Sequence, residues 1–125
     1  MDNGKPSTAR ILIVDDEEQV RQLFQLMLEH EGYSVEGVSC GREAVRLLAD
    51  SRFDLLLLDM GLPDMDGLDV LQFVHLSRPG LRVIATSGCL PESVLRLAAH
   101  FGAAALEKPV TGPRLVATVR ELLAN

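Results

Sequence analysis

The chain has 125 residues, of which 47% are hydrophobic and 24% are charged. This length suffices for one domain with its own core, and no apolar run approaches the ~18 residues of a membrane-spanning helix. The formal net charge of −6 argues against direct binding of nucleic acid, because backbone phosphates require a basic face. Two cysteines without a CxxC pattern and a polar N-terminal segment favour a cytoplasmic protein.

Five apolar runs alternate along the chain with five segments of helical periodicity. The predicted strands are residues 10–15, 34–39, 54–59, 82–87 and the alanine-rich segment 103–107. The predicted helices are an amphipathic segment that runs from Val20 to near Gly32, followed by residues 41–50, 67–77, 90–101 and 113–124. Short connections between alternating strands and helices predict an α/β fold, a doubly wound parallel sheet of five strands with helices on both faces. We expect residues 1–9 to form a flexible lead and residues 10–125 to form the domain.

Chemically active side chains follow four of the five predicted strands. The first strand ends at Asp15 and Asp16, the third at Asp59, the fourth at Ser87, and the fifth leads into Lys108. In an open parallel sheet the ligand site lies at the carboxyl ends of the strands, next to the point where the strand order reverses. The sequence therefore predicts that three acids, a hydroxyl group and an amine converge at this edge.

Three carboxylates at one edge of a sheet call for a cation. At an effective dielectric constant of about 20, each pair of carboxylates a few ångströms apart repels by roughly 4 kcal/mol. A small set of oxygen ligands with room for water and phosphate suits Mg²⁺ better than Zn²⁺ or Ca²⁺. With Mg²⁺ and Lys108 present, the charges of the three carboxylates are nearly cancelled.

Four segments of the sequence carry a family resemblance: ILIVDDEE, LLLLDMGLPDMDG, VIATSG and LEKP. In this order and at these strand ends, they resemble the receiver domain of response regulators in two-component signal transduction, and the resemblance covers residues 10–124. It implies the flavodoxin-like strand order 2-1-3-4-5. It also implies a regulatory phosphoacceptor rather than an enzyme: a sensor histidine kinase or a histidine phosphotransfer protein would transfer a phosphoryl group to Asp59, and the binding of a downstream protein would change.

The resemblance also implies a role for each residue of the site. The oxygen atoms implied to hold Mg²⁺ belong to the side chains of Asp15, Asp16 and Asp59 and to the backbone carbonyl of Gly61. The groups implied to contact the phosphoryl group are the side chains of Ser87 and Lys108 and the backbone N–H groups of Met60 and Gly88. The bond between Lys108 and Pro109 is expected to be cis.

Two positions at the predicted site need comment. Thr86 competes with Ser87 for the hydroxyl role, and we favour Ser87 because the small Gly88 that follows lets a phosphoryl oxygen approach the backbone. Ala105 stands where the family usually carries an aromatic side chain that reports phosphorylation. We therefore expect the output of this domain to follow a different or smaller conformational change.

One alternative function uses the same chemistry. Mg²⁺-dependent phosphatases also use an aspartate nucleophile on a related sheet, but they carry a D-x-D pattern after the first strand. In this chain the acidic pair is adjacent and the candidate nucleophile ends the third strand.

The sequence also supports three local predictions. Asp66 caps the third helix, Pro91 opens the fourth helix, and Asp64 is simply solvated.

Overall fold

The computed structural model describes residues 8–89 and 91–124, so most of the predicted lead at residues 1–9 lies outside the described residues. Five strands and five helices alternate in this part of the chain. They are β1 Arg10–Val14, α1 Glu18–His30, β2 Ser34–Val38, α2 Gly41–Asp50, β3 Leu55–Asp59, α3 Gly67–Ser77, β4 Arg82–Ser87, α4 Glu92–His100, β5 Ala104–Glu107 and α5 Gly112–Leu123. None of the helices described is long and apolar enough to cross a membrane.

The five strands form one parallel sheet in the order β2-β1-β3-β4-β5, which confirms the predicted fold class and strand order. Strand β3 lies at the centre, between β1 and β4, and all five of its residues are buried. This position explains why its sequence is a continuous leucine run rather than an alternation of apolar and polar residues. The acid that ends β3 is therefore held by the buried central strand of the sheet.

Helices cover both faces of the sheet, and each face has its own core. On one face, side chains of α2, α3 and α4 pack against β1 residues Leu12 and Val14. On the other face, side chains of α1 and α5 pack against Ile11 and Ile13 of the same strand. The alternation of neighbouring β1 residues between the two cores follows from the two-residue period of a strand. Asp15, which follows β1 directly, is thus anchored from both sides.

The structure tests the three local predictions at helix starts. Asp66 accepts a hydrogen bond from the N–H of Leu68 at 2.9 Å, which confirms it as the cap of α3. Pro91 is the N-cap of α4, so it lies just before the first helical residue, Glu92, and not inside the first turn as predicted. The prediction that Asp64 is only solvated is wrong. Its carboxylate accepts the N–H groups of Gly41 and Arg42 at 2.8 and 2.9 Å, which lowers the pKa of Asp64 and caps α2.

Candidate functional site

The predicted acids meet at the carboxyl edge of the sheet. Asp15, Asp16 and Asp59 each offer one carboxylate oxygen, and these three oxygen atoms lie within 4.8 Å of one another. Asp15 and Asp59 are buried, with 3% and 5% of their surface exposed, whereas Asp16 is exposed. The reversal of strand order between β1 and β3 brings the two strand ends side by side. The result is an acidic pocket that opens to solvent on the side of Asp16.

Lys108 supplies the positive charge of the site. Its Nζ lies 3.1 Å from Oδ2 of Asp59 and 3.6 Å from Oδ2 of Asp15. Its backbone N–H donates to the carbonyl of Ser87 at 2.8 Å, which ties the end of β5 to the end of β4. The peptide bond between Lys108 and Pro109 is cis, as predicted.

Glu17 is a fourth acid at the site that the sequence analysis did not select. Its Oε1 lies 3.6 Å from Nζ of Lys108, and its backbone N–H donates to Oδ1 of Asp15 at 2.9 Å. The signal was present in the sequence, because the acidic run DDEE continues past the predicted ligands into the start of α1. Lys108 therefore contacts three carboxylates from two separate segments of the chain.

The turn after β3 presents a backbone donor to Asp59. The N–H of Gly61 donates to Oδ1 of Asp59 at 2.9 Å. The N–H of Met60, which was the predicted phosphoryl donor, instead donates to the carbonyl of Thr86 at 2.8 Å. The structure therefore favours Gly61 over Met60 as the backbone donor nearest the acceptor carboxylate.

The two candidate hydroxyl groups occupy different environments at the end of β4. Thr86 is buried, with 3% of its surface exposed, and its backbone is paired with Asp59 in the sheet. Ser87 is half-buried, and its hydroxyl group donates to the carbonyl of Cys89 at 2.8 Å. Gly88 is exposed, and a side chain at this position would meet nothing within 4 Å. This placement favours Ser87 as the hydroxyl group available to a ligand, and its role stays a prediction.

Burial and charge act in opposite directions on the ionisable groups of the site. Burial raises the pKa of Asp15, against the hydrogen bond from Glu17 and the attraction of Lys108, which lower it. Burial alone would lower the pKa of Lys108, but the hydrogen bond to Asp59 and the charge of Asp15 outweigh it and raise this pKa. The metal-free site thus holds its lysine firmly charged while the negative charge of Asp15 is disfavoured.

The donor set of this pocket fits a hard divalent cation. Three carboxylate oxygens from Asp15, Asp16 and Asp59 are close enough to share one ion. Lys108 can neutralise only one of these charges, so an excess of negative charge remains for a metal to balance. No nitrogen or sulfur ligand joins this group among the residues described, which suits Mg²⁺ rather than Zn²⁺.

Comparison with known proteins agrees with this geometry. Residues 11–120 match the family model described as response regulator receiver domain, and the chain belongs to this family. A crystal structure of a CheY-like response regulator receiver domain protein from Methanospirillum hungatei JF-1 is 34% identical and has a TM-score of 0.91, covering 94% of this chain and 95% of that one. The chemotaxis response regulator CheY4 of Vibrio cholerae is 26% identical with a TM-score of 0.86, covering 93% of this chain and 99% of that one.

Two curated relatives are longer than this chain. The alginate biosynthesis transcriptional regulatory protein AlgB of Pseudomonas putida is 36% identical, and the match covers 98% of this chain and 28% of AlgB. Response regulator MprA of Mycolicibacterium vanbaalenii is 37% identical, and the match covers 91% of this chain and 50% of MprA. The chain thus spans half or less of the length of these two relatives. Receiver domains are regulatory phosphoacceptor domains of two-component systems that bind Mg²⁺ at an acidic pocket, and this chain has a cluster of three aspartates at the carboxyl edge of its sheet.

Proposed function

We propose that Asp59 accepts a phosphoryl group from a phosphohistidine of a sensor histidine kinase or a histidine phosphotransfer protein. The observation that carries this proposal is the environment of Asp59: a buried carboxylate at the end of the central strand, 3.1 Å from Lys108 and within reach of two more acids. A carboxylate nucleophile at such a position forms an acyl phosphate. We take residues 10–125 as the receiver domain that carries this residue.

The chemical step is a transfer between two nucleophiles. One carboxylate oxygen of Asp59 attacks the phosphorus atom, a P–O bond forms, and the P–N bond to the histidine of the partner breaks. The electron pair of the broken bond returns to the imidazole, which takes up a proton from solvent. Lys108 stays charged throughout and stabilises the negative charge that gathers on the phosphoryl oxygens.

The cation site in this proposal is formed by the side chains of Asp15, Asp16 and Asp59, with the backbone carbonyl of Gly61 as a further oxygen donor. Bound Mg²⁺ would supply the charge that lets an anionic phosphoryl group approach an anionic acceptor. Asp15 and Asp59 are already held by backbone hydrogen bonds from Glu17 and Gly61. These contacts fix the two buried carboxylates before a ligand arrives, which reduces the cost of ordering them.

Two more groups complete the phosphoryl site. The Ser87 hydroxyl group would leave the carbonyl of Cys89, which it contacts at 2.8 Å, and donate to a phosphoryl oxygen. The N–H groups of Gly61 and Gly88 would donate to other oxygens of the same group, in place of the N–H of Met60. Movement of Ser87 would carry the loop that leads to α4, and this loop is the proposed route of the signal.

The output of the domain is proposed to be a change in the binding of a partner protein rather than catalysis. Ala105 is half-buried on the edge strand β5 and pairs with Ala85, so no aromatic side chain at this position can report the state of Ser87. Direct binding of nucleic acid by this domain is not proposed, because its formal net charge is −6.

The proposal is tested with a small phosphoryl donor that carries the same P–N bond as phosphohistidine. The purified chain is incubated with phosphoramidate and MgCl₂, and its intact mass is followed over time. We expect a gain of one phosphoryl group with Mg²⁺, and no gain with EDTA or in the variant Asp59→Asn. A gain that persists in Asp59→Asn would place the acceptor elsewhere.

The same preparation distinguishes the alternative function. A Mg²⁺-dependent phosphatase would release phosphate from p-nitrophenyl phosphate over many turnovers. A phosphoacceptor domain retains one phosphoryl group per chain and then loses it. Sustained turnover that disappears in Asp59→Asn would favour the phosphatase over the regulatory domain.

A further inference from the structure

Arg21, on the first turns of α1, reaches back to the acidic pocket. Its Nη1 donates to the backbone carbonyl of Asp15 at 2.7 Å, and the bond is partly buried. A guanidinium that donates to a carbonyl makes a charge-assisted bond, which is stronger and more directional than a neutral one. Neither the metal site nor the phosphoryl site proposed above includes this residue.

The path of the Arg21 side chain depends on Gly37 of β2. A Cβ atom built on Gly37 would lie 3.0 Å from both Cγ and Cδ of Arg21, which is tighter than ordinary contacts. The aliphatic stem of Arg21 therefore lies directly on the backbone of the edge strand. The absence of a side chain at this strand position lets the guanidinium reach Asp15.

The carbonyl of Asp15 belongs to the peptide group that joins Asp15 to Asp16. On the Asp15 side, the backbone N–H donates to Val38 at 3.2 Å and the carboxylate is held by Glu17 at 2.9 Å. Within residues 8–89 and 91–124, by contrast, the exposed carboxylate of Asp16 has no hydrogen-bond or ion-pair partner. The orientation of this peptide group affects where Asp16 lies relative to the other two acids, and Arg21 donates a hydrogen bond to its carbonyl oxygen.

From these contacts we infer that Arg21 is a positioning residue for the cation site, and that it acts through the peptide group between Asp15 and Asp16. The inference deepens the proposed function and rests on it. Residues that orient metal ligands typically contribute about 10- to 100-fold to metal affinity. If Arg21 acted only through its charge, its removal would have the opposite effect on Mg²⁺ affinity. The positive charge repels a cation, so removing it would strengthen binding.

The test measures both Mg²⁺ affinity and thermal stability in four proteins: the wild-type chain and three variants. Arg21→Met keeps the aliphatic stem and removes the donor, whereas Gly37→Val keeps the arginine but pushes its stem away from β2, and the new side chain also meets Oε1 of Gln25, 3.3 Å from the added Cβ. Gln25→Met is the matched control, because Gln25 lies one turn further along α1 and donates to the carbonyl of Val35 at 3.3 Å, away from the site. Affinity is measured by calorimetric titration of the metal-free protein with MgCl₂, and stability by thermal unfolding in EDTA.

We expect Arg21→Met and Gly37→Val to bind Mg²⁺ about tenfold more weakly than the wild type, and Gln25→Met to bind with unchanged affinity. In EDTA, the backbone N–H groups of Asp16 and Glu17 should exchange with deuterium faster in Arg21→Met than in the wild type.

Wild-type or stronger Mg²⁺ binding by Arg21→Met, or equal weakening in Gln25→Met, would overturn the inference while leaving the proposed function intact. If Arg21→Met does not fold, the Mg²⁺ affinity of Gly37→Val tests the inference, and binding as strong as in the wild type would overturn it. A wild-type chain that binds no Mg²⁺ would instead overturn the proposed function, and this inference with it.

Discussion

Replacing Asp15 by Asn should stabilise the metal-free protein. At an effective dielectric constant of about 20, a carboxylate oxygen at 4.8 Å, the upper limit for the acids of this pocket, repels Asp15 by about 3.5 kcal/mol. Lys108 at 3.6 Å attracts Asp15 by about 4.6 kcal/mol, so the charges alone do not destabilise Asp15, and the largest unfavourable contribution is the burial of its carboxylate. A buried ion costs several kcal/mol of desolvation, which the contacts with Glu17 and Lys108 offset only in part, so we take the net gain from Asp15→Asn as about 1–2 kcal/mol, or roughly 5–10 °C in Tm for a domain of this size.

The assay is thermal unfolding at pH 7, with EDTA and with saturating MgCl₂. The variant should be more stable than the wild type in EDTA, and the order should reverse in Mg²⁺, since only the wild type keeps all three ligands and gains stability by binding. The stability difference between variant and wild type should depend on pH, because the pKa of Asp15 is raised and its ionised form is disfavoured in the folded state. On acidification the wild-type carboxyl becomes protonated, so the advantage of the variant should vanish. A variant that is less stable than the wild type in EDTA would refute this reasoning.

Three further predictions test separate parts of the structure. Lys108→Met should slow phosphorylation of Asp59 about 100-fold in the intact-mass assay, and an unchanged rate would contradict its electrostatic role. Asp64→Ala should lower the Tm at pH 7. Because the pKa of Asp64 is lowered, its contribution is present at neutral pH and lost as the pH falls through that value, so the two unfolding curves should converge in acid, and a constant gap would count against the cap. Gly67→Ala would place a Cβ 2.8 Å from Cα of Met60 and should cost about 1–3 kcal/mol in denaturant unfolding, whereas wild-type stability would show that the turn can move freely.

The sequence was sufficient to predict the sheet and the meeting of Asp15, Asp16, Asp59 and Lys108 at its carboxyl edge, but it did not point to Glu17. A short leucine run between turn signals, in a chain of alternating strands and helices, is typical of a central strand in a parallel sheet with two covered faces, and the acid that ends such a strand lies at the edge of the sheet. The rule places Asp15, Asp59 and Lys108 at the same edge, because each ends or follows a strand of one parallel sheet, and the long side chain of Lys108 spans the distance from β5 to the two acids. The structure adds the distances between them.

The contacts that the sequence did not predict join parts of the chain that no local pattern connects. Asp64 caps a helix that begins 23 residues earlier in the chain, and its own neighbours gave no sign of this role. In the sequence Arg21 resembles an ordinary exposed residue of a helix. Its hydrogen bond to the carbonyl of Asp15 could not be predicted, because it depends on the packing of the Arg21 stem against Gly37 of β2. The choice between Met60 and Gly61 as donor likewise depends on which backbone N–H the sheet has already used.

Asp59 is the residue that we propose carries the phosphoryl group. Borohydride reduces an aspartyl phosphate to homoserine, which marks the acceptor permanently. The chain is phosphorylated with phosphoramidate and MgCl₂, reduced, digested and sequenced by mass spectrometry. We predict homoserine at position 59 and at no other aspartate. Homoserine at position 15 or 16, or a phosphoryl group that survives reduction on Ser87, would contradict the claim.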